Sequence, residues 1–231
     1  MQIWLKHTYE AFIRKAEIID SVPKIATNIS KNLSKDKKGL FIDCGSNLGQ
    51  GFTFFERYFP LKTFDYILVE PNPFCEEELI KKINQKKQEG SIDLIFEAAS
   101  TSEGTTKFYG LVEGNRGKTN EAASALRESA SSWYTVSEED AITVDTFSLA
   151  DFIRDQASFY KIIVVKMDIE GAEYDVLDHL IKKGVHKKIA TIFTEFHSQY
   201  MTEPDKTIYE NREKAIIQSF KNDKIPFHLW I

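Results

Sequence analysis

Cysteine is scarce in this chain. Only Cys44 and Cys75 occur among 231 residues, far apart and with no CxxC. That excludes a disulfide framework and a cysteine-rich zinc module, and a reduced, cytoplasmic chain is the simplest account. Long apolar runs are also missing. No stretch approaches the roughly 20 residues that a membrane span needs. The first twenty residues mix charged and apolar types, so they do not read as a signal peptide. Positive charge is not in excess either: 30 Lys and Arg stand against 35 Asp and Glu, a formal charge of −5. Such a balance argues against a nucleic-acid partner. The lysine-rich stretches 31–38 and 81–87 are interrupted by polar and acidic residues and read as solvated faces. No repeat and no Pro- or Gly-rich linker breaks the chain.

What is present is ordinary globular composition, 42% apolar and 28% charged, over a length that fits one large domain. The spacing of Ile3, Trp4, Phe12, Ile13 and Ile18 predicts an amphipathic N-terminal helix. We expect residues 1–38 to be a helical extension packed on a domain of residues 39–231.

From Gly39 onward, short apolar runs alternate with helical patterns. Strands are expected at 40–43, 66–70 and 93–97, with helices at 48–58 and 74–89 between them. The rhythm resumes with a strand at 142–147, a helix at 149–156, a strand at 162–167 and a helix at 172–183. A strand at 189–196, a helix at 208–222 and a short strand at 227–230 follow. This alternation predicts an α/β fold with a mostly parallel central sheet and helices on both faces. The run Ile162 to Met167, nearly all apolar, suits a central strand covered on both sides. The middle differs. A strand is expected at 105–112, and residues 114–139 then lack periodicity, as expected of a functional loop or lid. Within it, Trp133 and Tyr134 could stack on a ring-shaped ligand or simply anchor the loop.

Four clusters carry candidate chemistry. Asp43-Cys44-Gly45-Ser46-Asn47-Leu48-Gly49 joins a strand to a helix. Glycines there permit tight turns and close backbone approach, and a helix N-terminus favours an anionic group. The spacing is not the GxGxxG of dinucleotide folds. Glu70 ends the next strand, where a carboxylate can accept hydrogen bonds from both hydroxyls of a ribose. Lys166-Met167-Asp168-Ile169-Glu170-Gly171-Ala172-Glu173 follows the most apolar strand. Ligands of open α/β sheets bind beyond the carboxyl ends of the strands, so Asp168 and Glu170 should face the same crevice as Asp43 and Glu70. Glu170 and Glu173 also suit a helix's first turn. Finally, Thr194-Glu195-Phe196-His197 ends a strand, with His197 as a candidate general base or a plain loop-capping residue. His7, His179, His186 and His228 have no such context and read as structural.

In this order the blocks resemble the FkbM family of methyltransferases. The resemblance runs from Phe41 to His197. It is carried by Phe41 through Gly49, by Val69-Glu70-Pro71-Asn72-Pro73, and by the segment Ile142 to Phe152. Lys166 through Glu173 matches the K-x-D-x-E-G-x-E pattern, and Phe193 through His197 matches the closing block. The resemblance implies a Rossmann-like class I methyltransferase fold with seven strands and S-adenosyl-L-methionine as methyl donor. It also implies O-methylation of a sugar, glycan or other small hydroxylated molecule. By that match Asp43, Gly45, Asn47 and Gly49 belong to the methionine end of the cofactor. Glu70, Pro71 and Asn72 belong to its ribose and adenine end, and Glu97 and Ala98 to the adenine edge. Asp168, Glu170 and His197 are the expected catalytic residues, with Asp168 also near the cofactor. A divalent metal is a variant, since Asp168, Glu170, Glu195 and His197 could hold Mg²⁺ against a diol. An RNA or protein methyltransferase and a non-catalytic nucleotide-binding module are the competing readings. One departure is visible: a single short strand follows the last helix, where the class I fold closes with an antiparallel pair.

Overall fold

A computed structural model describes residues 2–33, 37–109, 112–113, 117–118 and 141–230 of the chain. The first helix, α1, spans Gln2–Ser30, within the stretch 1–38 read as a helical extension. Its second half has a simple cause. Ile18, Val22 and Ala26 recur every four residues, all three are buried, and Ile25 and Ile29 pack beside them. The helix therefore continues along one apolar stripe that joins the core of the domain.

The strands and helices of the main layer follow as β1 (Gly39–Cys44), α2 (Gln50–Phe55), β2 (Phe64–Val69), α3 (Glu76–Lys86) and β3 (Ile92–Ile95). A smaller unit comes next: β4 (Ala98–Ser100), β5 (Gly104–Phe108), the short pair β6 (Val112–Glu113) and β7 (Gly117–Lys118), and β8 (Ile142–Ser148). The chain then returns to the main layer with α4 (Leu149–Gln156), β9 (Ile163–Met167), α5 (Glu173–Lys182), β10 (Thr191–Thr194), α6 (Asp205–Asn222) and β11 (Phe227–Leu229).

The main sheet has the order β11-β10-β9-β1-β2-β3, and every neighbouring pair is parallel. This is a Rossmann-like α/β fold. Among the described residues the sheet has six strands rather than the expected seven, and no antiparallel closing pair. The reason lies in α6. This helix carries the chain from the carboxyl end of β10 back to the edge at which β10 began, so β11 runs parallel to β10. The strand expected at 105–112 divides into β5 and β6, and β5 pairs antiparallel with β8 while β4 pairs parallel with it. Of the expected lid at 114–139, only Gly117–Lys118 falls among the described residues; Trp133 and Tyr134 lie outside them.

Side chains alternate between two cores. Leu40 and Ile42 of β1 with Ile163, Val165 and Met167 of β9 face α4, α5 and α6. Phe41 of β1 and Val164 of β9 face α1, α2 and α3. By the same period of two, Asp43 and Lys166 fall on the second face, opposite each other across the β1–β9 pairing. Both are buried. No helix among the described residues is long and apolar enough to cross a membrane.

Candidate active site

The sheet order reverses between β1 and β9, and the loops that leave their carboxyl ends diverge there. This is the crevice in which open α/β sheets bind ligands. A cleft of about 210 Å³ lies at that point.

Its floor is the turn after β1. Gly45, Asn47 and Gly49 have φ of 76°, 47° and 79°, the left-handed region that favours glycine. Gly45 is further constrained by proximity: a Cβ there would lie 1.6 Å from the backbone oxygen of Asp168. The β1 and β9 loops can meet only because that atom is absent. Ser46 locks the turn to β2. Its hydroxyl donates to the Asp43 carbonyl at 2.8 Å and accepts from the Val69 N–H at 3.1 Å.

Glu70 stands over this turn. It is 6% exposed, a buried rather than a solvated strand-end acid. Its carboxylate accepts from the Asn47 N–H at 2.7 Å and from the Asn72 N–H at 2.9 Å. Burial pushes its pKa up, and the two backbone donors oppose that shift. Asn72 closes the second loop by accepting from the Phe74 N–H at 3.0 Å.

Asp43 lies beneath the floor, fully buried, with Lys166 Nζ 3.3 Å from its Oδ1. The contact meets an ion-pair distance but not hydrogen-bond geometry, because both Asp43 oxygens lack a bonded partner. Lys166 Nζ also donates to the Gly45 carbonyl at 2.7 Å and reaches Asp168 Oδ2 at 3.4 Å. Burial alone would lower the Lys166 pKa; Asp168 and Asp43 outweigh it and raise it. One buried ammonium thus ties the β1 turn to the β9 turn.

The far end of the cleft is a carboxylate–histidine group. His197 is 5% exposed. Its Nε2 lies 3.3 Å from Glu170 Oε2 and 3.7 Å from Asp168 Oδ1, and its Nδ1 lies 3.2 Å from Glu173 Oε1. Glu173, fully buried, is held by the Ile169 N–H at 2.7 Å and the Gly171 N–H at 2.9 Å. The Tyr174 hydroxyl accepts from the backbone N–H of His197 and Ser198 and donates to Glu213. Burial lowers the His197 pKa, but Glu173, Glu170 and Asp168 outweigh it and push it up to about 10. Burial, with Asp168 adding to it, pushes Glu195 up to about 7; burial does the same to Glu170. Asp168, Glu170 and His197 each present a ligand atom within 4.8 Å of the others, a spacing that one divalent ion can bridge.

Of the residues marked in the sequence, Gly45, Asn47, Glu70, Pro71, Asn72, Ala98, Asp168 and Glu170 line the cleft. Asp43, Gly49, Glu97 and His197 do not. Asp43 supports the floor from below, and His197 backs Asp168 and Glu170 from within the protein. The smaller sheet supplies wall residues with no sequence signal, among them Ser100, Thr106, Phe108 and Thr146, and α5 adds Asp175. Lys166 did carry a signal: a lone lysine in an otherwise apolar strand must be paired when that strand is buried on both faces.

An open parallel sheet reversing at β1 and β9, with its cleft over that reversal, places the protein among Rossmann-like ligand-binding domains. The chain belongs to the FkbM methyltransferase family: the methyltransferase FkbM domain matches it over residues 43–219. No curated protein sequence matches it. Among solved structures, the FkbM methyltransferase of Methylobacillus flagellatus KT is 14% identical with a TM-score of 0.40, covering 73% of this chain and 46% of that one. A short-chain dehydrogenase of Oenococcus oeni PSU-1 is 12% identical with a TM-score of 0.39, covering 83% of this chain and 78% of that one. The chain thus spans less than half the length of the first of these two structures.

Proposed function

We propose that the protein is an S-adenosylmethionine-dependent methyltransferase that methylates a hydroxyl oxygen of a sugar, glycan or other small molecule. The observation that carries this reading is Glu70. An ionised carboxylate has roughly four lone-pair positions. Two of those on Glu70 are used by backbone N–H groups, which fixes the side chain with its remaining capacity toward the cleft. Such a carboxylate fits the vicinal hydroxyls of a ribose. Gly45 and Asn47 would hold the methionine end, and Asn72 with Ala98 the adenine end. Asp43, Gly49 and Glu97 would act from outside the lining, Asp43 through Lys166.

Adenosylmethionine supplies a methyl group already activated by a sulfonium. The protein's task is then to align the acceptor and take up its proton. Asp168 and Glu170 face the cleft where the acceptor oxygen would come, and His197 stands behind them. Glu70, Asp168, Glu170 and Asp175 line the cleft, and no Lys or Arg does so among the described residues. An RNA acceptor, with its phosphates, fits that wall poorly. The buried, unpaired Cys44 and Cys75 support a cytoplasmic setting.

Calorimetry with S-adenosylhomocysteine tests the reading. One site per chain is expected, and absence of binding by folded protein would refute it. Labelled methyl donor with a panel of sugars and glycolipids, read by mass spectrometry, then identifies the acceptor.

A further inference from the structure

The Asp168–Glu170–His197 group holds more than acids. His197 is buried, and its ring points from the protein interior toward the two carboxylates that open on the cleft. Its Nε2 is the nitrogen turned toward Asp168 and Glu170, and its Nδ1 lies 3.2 Å from the buried Glu173 carboxylate. Glu173 is itself pinned by two backbone N–H groups, so it fixes which way the imidazole faces. A carboxylate beside the far ring nitrogen stands where the outer partner of a metal-binding histidine is found.

We propose that Asp168, Glu170 and His197 form a divalent-metal site for a first-row cation such as Mn²⁺, open toward the acceptor. The distances suit it. With metal–ligand bonds of about 2.15 Å, the 3.3 and 3.7 Å separations from Nε2 correspond to bond angles of about 100° and 120°. Lys166 occupies Asp168 Oδ2, which leaves Oδ1 for the ion. One imidazole nitrogen with two carboxylate oxygens is a mixed donor set that favours a first-row ion over Ca²⁺. Three protein ligands leave positions open, as catalytic sites require. Because Asp168 and Glu170 line the cleft, those positions face it. A hydroxyl, or two hydroxyls of a diol, could complete the coordination. Beyond the two carboxylate ligands, Glu70 and Asp175 add negative charge to the cleft wall, which lacks Lys and Arg among the described residues.

The use of the ion rests on the methyl-transfer reading; its binding does not. The experiment is a titration of chelator-treated full-length protein with Mn²⁺, following the free-ion spectrum by electron paramagnetic resonance. One site per chain is expected, and electron-spin-echo modulation of the bound ion should show one coordinated imidazole nitrogen. Asp168→Asn and Glu170→Gln should each weaken binding at least about ten-fold. The nitrogen signal needs no variant, so it remains decisive if a substitution impairs folding. No binding, or bound Mn²⁺ with no nitrogen coupling, overturns the proposal. Calorimetry with S-adenosylhomocysteine on the same metal-free sample separates the two readings. Cofactor binding without Mn²⁺ binding sinks the metal site alone; Mn²⁺ binding without cofactor binding sinks the methyltransferase reading alone.

Discussion

Replacing Glu70 separates ligand recognition from loop support. The Glu70 carboxylate anchors the Asn47 and Asn72 N–H groups and is 6% exposed. Glu70→Ala would strand both donors, at a cost on the order of 1–3 kcal/mol each where water cannot reach. Its effect on binding would then be mixed with damage to the turn. Glu70→Gln keeps the shape and one acceptor oxygen while removing the charge. Two charge-assisted hydrogen bonds to ribose hydroxyls become neutral or are lost, which should cost about 1.5–3 kcal/mol. That corresponds to about 10- to 150-fold weaker S-adenosylhomocysteine binding. The assay is calorimetry on wild type and Glu70→Gln with S-adenosylhomocysteine and with its 2′-deoxy analogue. If Glu70 holds the ribose, removing the 2′-hydroxyl should weaken binding clearly in wild type and much less in the variant. This double-mutant cycle isolates the contact from any loosening of the turn. An equal penalty in both proteins would refute the ribose role and leave Glu70 as a loop anchor.

Other outcomes follow from the same geometry. Lys166→Met leaves Asp43 buried without its counter-charge, which should cost about 3–5 kcal/mol and lower Tm by about 6–20 °C. Adding Asp43→Asn should recover most of that loss; a single variant with unchanged Tm would show that the pair contributes nothing. Gly45→Ala places a Cβ against the Asp168 carbonyl at positive φ. It should lower Tm and abolish S-adenosylhomocysteine binding in the calorimeter, and a variant indistinguishable from wild type would mean the two turns are not in contact. His197→Ala removes the group that backs Asp168 and Glu170 and should cut methyl transfer by about 10- to 100-fold with cofactor affinity nearly intact, as read by steady-state kinetics beside calorimetry. Full turnover would make His197 a bystander.

Much of the fold was legible in the chain because local signals agreed with it. The apolar runs at Leu40, Tyr66 and Ile162 are buried strands, and Leu149 to Gln156 is the helix expected there, capped by the Ser148 hydroxyl accepting from the Asp151 N–H. Element ends were less legible, since they depend on packing. Helix α1 continues to Ser30 because Val22 and Ala26 meet the core, which spacing at the N-terminus alone does not reveal.

Hydrophobic period and turn chemistry are local properties of the chain, and they dictate the order of strands and helices and the types of residue delivered to each strand end. Gly45, Glu70 and Asp168 are legible in this way, each at a strand end followed by a turn. What each of them touches depends on how distant segments pack together. That packing turned Asp43 under the floor and paired it with Lys166, because the two sit opposite in neighbouring parallel strands. It brought Glu173 behind His197, across a helix start and a strand end that lie far apart in the chain. It added the second sheet as a wall of the cleft, and made β11 parallel by returning the chain through α6. Periodicity acts along a segment of chain; burial and charge pairing act between segments, and they set the chemistry of this site.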